Sequence, residues 1–115
     1  MTIKQAYIAA FELLVYCYNK SEGDELIDLL SCMDPYSWAD GEAFDPATYE
    51  DWLNSVKVVT NDEQLTEMQA FQSMLEFLKF HERRFKFAPQ WLINELEEVT
   101  YDKSKWLECI AYAMR

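Results

Sequence analysis

Residues 5–14 read QAYIAAFELL, and residues 69–78 read QAFQSMLEFL. Both begin Gln-Ala-aromatic and end Glu-x-Leu, at an offset of 64 residues. Both carry apolar side chains three and four apart, the period of an α-helix with one buried face. Two further pairs follow in the same order. LIDLL at 26–30 matches LINEL at 92–96 with offset 66, and DWLNSV at 51–56 matches KWLECI at 105–110 with offset 54. Three ordered matches predict two copies of a three-helix unit, with halves of about 1–58 and 61–115. The fold class that follows is all-α: a single domain of about six helices.

The individual helices can be read outward from these anchors. Ile3, Tyr7, Ala10, Leu14 and Cys17 form the stripe of a first helix over 3–19. Asp24 has the side chain of an N-cap for a short helix over 25–33, carrying Leu26, Ile27, Leu29, Leu30 and Met33. Asp45 followed by Pro46 is a helix-start signal, because proline at the first helical position loses no hydrogen bond. It opens a helix over 46–58 with Tyr49, Trp52, Leu53 and Val56 on one side. Thr60 with Glu63 has the spacing of a capping box. It predicts a long helix over 61–84, striped by Leu65, Met68, Phe71, Leu75 and Leu78. Pro89 opens a helix over 89–99 with Trp91, Leu92, Leu96 and Val99. The last helix, over 103–114, carries Trp106, Leu107, Ile110 and Met114. The only strand-like alternation is VKVV after the third helix, too short to need a sheet.

The offsets locate an insertion. They fall by twelve between the second and third matches, 66 − 54. The extra residues lie around Asp34 to Asp45, where the second copy makes the same connection with TYDKS. The helical unit closes without them, so this acidic aromatic segment needs a reason of its own.

The charge is concentrated in the same place. The chain has 115 residues, 21 acids and 10 bases, a formal charge of −11. No base lies between Lys20 and Lys57, a span holding ten acids: Glu22, Asp24, Glu25, Asp28, Asp34, Asp40, Glu42, Asp45, Glu50 and Asp51. Asp24 and Asp45 serve as caps, and Glu50 and Asp51 fall in first turns where the helix dipole favours acids. The others have no local role. They serve solubility alone, or they dock a basic partner. Interleaved aromatics favour docking, since Tyr and Trp anchor protein interfaces while charge steers encounter at the rim. The predicted partner-facing residues are Asp34, Tyr36, Trp38, Asp40, Glu42, Phe44, Asp45, Glu50 and Asp51, with Glu25 and Asp28 beside them. Trp38 stands off every stripe and either folds over the core or faces the partner. Trp52 and Trp106 fall on apolar stripes at equivalent repeat positions and read as core.

Composition excludes several function classes. A chain of this sign does not bind nucleic-acid phosphates by counterion release and is repelled by anionic membranes. The start, MTIKQAYIAAFELL, lacks the charge pattern and cleavage boundary of a signal peptide. Cys17, Cys32 and Cys109 are odd in number and scattered, which reads as reduced thiols in a cytoplasmic protein. His81 is the only histidine. It reads as structural, and no nucleophilic triad or metal set is spaced around it. DPYSWADGE is not a calcium loop. With Gly41 at the sixth position, Tyr36 and Trp38 would fall on ligand positions. The chain is read as a non-enzyme with no cofactor and no metal.

One resemblance extends this reading. DGEAFDPATYEDWL after a short Leu-rich helix, together with QAFQSMLEFLKFHERRF, resembles the immunity proteins of bacterial contact-dependent growth inhibition. The resemblance implies a cytoplasmic protein that neutralises a delivered toxin domain. In that group the toxin is often a nuclease that cuts RNA, transfer RNA included, and a nuclease carries a basic cleft. No contact residue is taken from the resemblance. The alternatives are an acidic protein-interaction adaptor and a nucleic-acid mimic.

Overall fold

The computed structural model describes residues 1–20, 26–37, 46–85, 90–97 and 103–115. Its elements are α1 (Ile3–Lys20), α2 (Ile27–Met33), a 3₁₀ turn (Pro35–Ser37), α3 (Pro46–Val59), α4 (Glu67–Phe85), α5 (Gln90–Glu97) and α6 (Lys103–Ala113). The described residues form no strand, and an isolated bridge pairs Thr2 with Gln64. The Cα radius of gyration, 13.1 Å, fits a compact chain of this length.

The apolar stripes explain the packing. α1 packs chiefly on α6, α3 on α4, and α1 and α4 cross between them, while α2 lies on α1 and α5 on α4. Trp52, Tyr7, Phe77, Leu13, Leu14, Met74 and Leu78 are among the largest fully buried side chains. Trp52 joins the two halves, edge-on to Tyr7 at 5.7 Å and to Phe77 at 5.7 Å.

Positions paired by the sequence offsets make matching contacts. Thr2 and Gln5 form a reciprocal capping box at the start of α1, with bonds of 2.8 and 3.0 Å. Thr66 and Gln69, each 64 residues later, do the same for α4 at 3.0 and 3.1 Å. The Trp52 indole N–H donates to the Ile3 carbonyl at 3.2 Å, and that of Trp106 donates to the Glu67 carbonyl at 3.2 Å. Phe71 meets Trp106 edge-on at 5.6 Å, as Tyr7 meets Trp52. Buried Ala6, Ala9, Ala10, Leu13 and Leu14 correspond to buried Ala70, Ser73, Met74, Phe77 and Leu78.

Several boundaries differ from the expectation. α4 starts at Glu67 rather than 61, because its capping box is Thr66 with Gln69 and not Thr60 with Glu63. Thr60 instead closes a local turn, its hydroxyl accepting the Asp62 N–H at 3.1 Å. Residues 61–66 are left non-helical so that buried Leu65 can pair with Met1. α2 starts at Ile27, with Leu26 at its N-cap and no side-chain cap bond; Asp24 and Glu25 lie outside the described residues. The α2–α5 register also shifts. Buried Leu29, Leu30 and Met33 correspond to buried Leu92, Ile93 and Leu96. The offset is therefore 63 rather than 66, about one helical turn away.

The stripes are also narrower than their sequences. Ile27, Met68, Trp91, Leu107 and Met114 are exposed. α5 and α6 each lie chiefly against one neighbour, so only part of each apolar face is covered.

Candidate partner-binding surface

Tyr7 organises the region around the predicted insertion. Its hydroxyl donates to the Met33 carbonyl at 2.7 Å, satisfying a buried acceptor at the end of α2. Its ring stands edge-on to Tyr49 at 5.1 Å, in the first turn of α3. One side chain on α1 thus fixes the helix that enters segment 34–45 and the helix that leaves it. The counterpart position, Phe71, has no hydroxyl.

Asp34 ends α2, its N–H donating to the Leu30 carbonyl at 3.1 Å. Its Oδ1 accepts the Tyr36 N–H at 2.9 Å, a local turn in which aspartate stands in for backbone. Tyr36 is 56% exposed. Its ring meets Phe11 edge-on at 5.8 Å, and its hydroxyl donates to the Glu12 carboxylate. Burial of the phenol, then the Glu12 carboxylate and the Tyr112 hydroxyl beside it, hold its pKa well above the usual tyrosine value. Tyr36 is therefore a neutral donor with an exposed ring edge.

Asp28 is exposed on the first turn of α2, and Glu50 is exposed just past the first turn of α3. Asp51 is turned inward: its Oδ2 lies 3.6 Å from Nε2 of His81, whose side chain is 3% exposed. His81 sits against Phe77 and Phe80, with centroids 4.5 and 5.4 Å away. The structure thus ties the end of α2 and the start of α3 to Tyr7, seats Tyr36 on Phe11 and Glu12 of α1, and directs Asp51 towards α4. Trp38, Asp40, Glu42, Phe44, Asp45 and Glu25 lie outside the described residues.

A feature missed in the sequence is a groove of about 550 Å³ between α1 and α6. Glu12, Tyr16, Lys105, Glu108, Cys109 and Tyr112 line it. The Lys105 ammonium lies 4.5 Å from the centre of the Tyr16 ring and 3.2 Å from Glu108 Oε2. The Arg115 guanidinium lies over Tyr112 at 5.4 Å. The legible signal was Glu12 with Tyr16 and Glu108 with Tyr112, both four apart on helices whose stripes point elsewhere. Burial pushes the Cys109 thiol up to about 11, and likewise Cys17. Both are neutral at neutral pH and poor nucleophiles. Among the described residues no group of three His, Cys, Asp or Glu side chains could hold a metal ion. No described helix is long and apolar enough to cross a membrane.

Comparison with protein-family models, with curated proteins and with solved structures returned no match.

Proposed function

We propose that this chain is a toxin-neutralising immunity protein of the contact-dependent growth inhibition kind. It acts in the cytoplasm by stoichiometric binding to a basic toxin domain, an RNA-cutting nuclease. The observation that carries the reading is the exposure of acidic and aromatic side chains on α2, the turn that follows it and α3. Exposed Asp28, Tyr36 and Glu50 belong to a stretch whose charged residues, from Glu22 to Asp51, are all acids. A nuclease cleft must be positive to hold phosphates. An acidic surface with an aromatic anchor can steer to such a cleft and hold there.

Binding is the function this arrangement supports best. The described thiols at Cys17 and Cys109 are held protonated, and His81 is packed among phenylalanines rather than presented to solvent. The direct test is co-purification with the protein encoded immediately upstream, followed by inhibition of its nuclease activity at a one-to-one ratio. No complex and no inhibition would remove the proposal.

A further inference from the structure

The groove between α1 and α6 already holds cations on its aromatic rings. Tyr16 and Tyr112 line it. The Lys105 and Lys20 ammonium groups lie 4.5 and 5.1 Å from the centre of Tyr16, and the Arg115 guanidinium lies 5.4 Å from that of Tyr112. All three are close enough for a ring face to attract a cation. Two carboxylates line the same space, and they differ. The Glu108 side chain is 69% exposed and pairs with Lys105 at 3.2 Å. Glu12 is half-buried, and among the described residues it pairs with no cation. Its Oε1 accepts the Tyr36 hydroxyl, and among the described residues its Oε2 has no donor. A carboxylate accepts through both oxygens, and a charge drawn off the surface is costly unless it is paired. Through Tyr36 the groove also meets the turn after α2, and with it the exposed acidic residues described above.

We propose that this groove is a binding site for an arginine side chain supplied by the basic partner. The identity of the partner rests on the function proposed above; the preference for arginine rests on the groove. The guanidinium forks onto the Glu12 carboxylate and stacks on the Tyr112 ring, in the place that Arg115 fills in the free chain. A planar guanidinium suits both neighbours, since its parallel N–H groups match a carboxylate and its flat face matches a ring. A lysine ammonium is a point charge without that fork. Arg115 is exposed beyond the end of α6, so it can yield its place without disturbing the core. A volume of about 550 Å³ admits the side chain together with the backbone that carries it. An arginine that holds phosphate in a nuclease cleft presents the same fork to this groove.

Two experiments on the full-length chain test this. In the first, N-acetylarginine amide is titrated in while NMR follows the ring protons of Tyr16 and Tyr112. Saturable shifts are expected on both rings, and none with N-acetylcitrulline amide, which has nearly the same shape and no charge. Glu12→Gln keeps an acceptor for Tyr36 and should weaken arginine amide about tenfold, as loss of a charged hydrogen-bond partner does. Tyr112→Leu, at an exposed position, should weaken it about threefold. Arg115→Ala should strengthen it, because the competing guanidinium is gone. Absence of saturation, or equal shifts from citrulline amide, would overturn the site. In the second experiment, Glu12→Gln should raise the dissociation rate from the upstream-encoded protein about tenfold. A wild-type complex whose dissociation is unchanged in both Glu12→Gln and Tyr112→Leu overturns the groove's part in binding and leaves the proposed function standing. Arginine amide binding without any complex overturns the assignment to that partner and leaves the arginine site standing.

Discussion

The Tyr7 hydroxyl donates to the Met33 carbonyl across 2.7 Å, twenty-six residues away and out of reach of water. Without this bond a buried carbonyl at the end of α2 has lost its donor. Tyr7→Phe, which copies the residue found at position 71, should destabilise the fold by about 1–3 kcal/mol, the cost of an orphaned buried acceptor. Urea unfolding measures it. Helix content should be unchanged, because the ring contacts with Tyr49 and Trp52 survive the substitution.

The start of α4 gives a second test. Thr66 caps the helix, while Thr60 closes a turn outside it. Thr66→Ala should cost about 1 kcal/mol, as for other lost N-caps. Thr60→Ala should change stability by less than about 0.5 kcal/mol, as surface substitutions commonly do. Equal effects, or the reverse order, would contradict the observed boundary.

That boundary also shows where sequence reading stopped. The six helices were legible because Gly and Pro are few and apolar residues keep a helical period throughout. The first-to-fourth helix correspondence was legible in QAYIAAFELL and QAFQSMLEFL. The Thr66–Gln69 box was equally visible in sequence, but Thr60–Glu63 has the same spacing. Only the pairing of Leu65 with Met1 decides between them. The exposure of Leu107 and Met114 was hidden for a related reason. Periodicity states which face is apolar, not how many neighbours will cover it. Of the candidate surface, the acidic span was plain in the sequence. The inward turn of Asp51 to His81 was not, because it depends on how α3 lies across α4.

The two tryptophan N–H bonds predict matched energetics. Trp52→Phe and Trp106→Phe each remove one indole donor from a carbonyl at the start of a helix. Each carbonyl keeps its helical N–H partner, so each substitution should cost about 0.5–1.5 kcal/mol for the lost hydrogen bond, with the lost packing in addition. Trp52→Ala should cost more, about 3–5 kcal/mol, since the side chain is fully buried. Chemical denaturation of the four-member set, wild type included, checks the order.

The buried thiols predict a pH dependence. Burial raises Cys17 and Cys109 from 9.0 to about 11 in the folded chain. Above about 9 the unfolded chain releases these protons while the native chain retains them. Their contribution to stability is therefore fully present below about pH 9 and declines as pH rises towards 11. Cys17→Ala with Cys109→Ala should flatten the loss of melting temperature between pH 9 and 11 relative to wild type. Iodoacetamide labelling of native Cys17 and Cys109 should be slow at pH 8.

The central claim is that the exposed acidic residues of α2 and α3, with Tyr36, bind a basic toxin domain, and the association rate with the upstream-encoded protein tests it most directly. Wild type should associate rapidly at low salt and slow steeply as salt is added. The double variant Asp28→Lys with Glu50→Lys reverses two exposed charges while leaving the core intact. It should associate about tenfold more slowly at low salt, with a much weaker salt dependence. Asp40→Lys with Glu42→Lys should act in the same direction. Association rates and salt slopes equal to wild type in both variants would contradict the account.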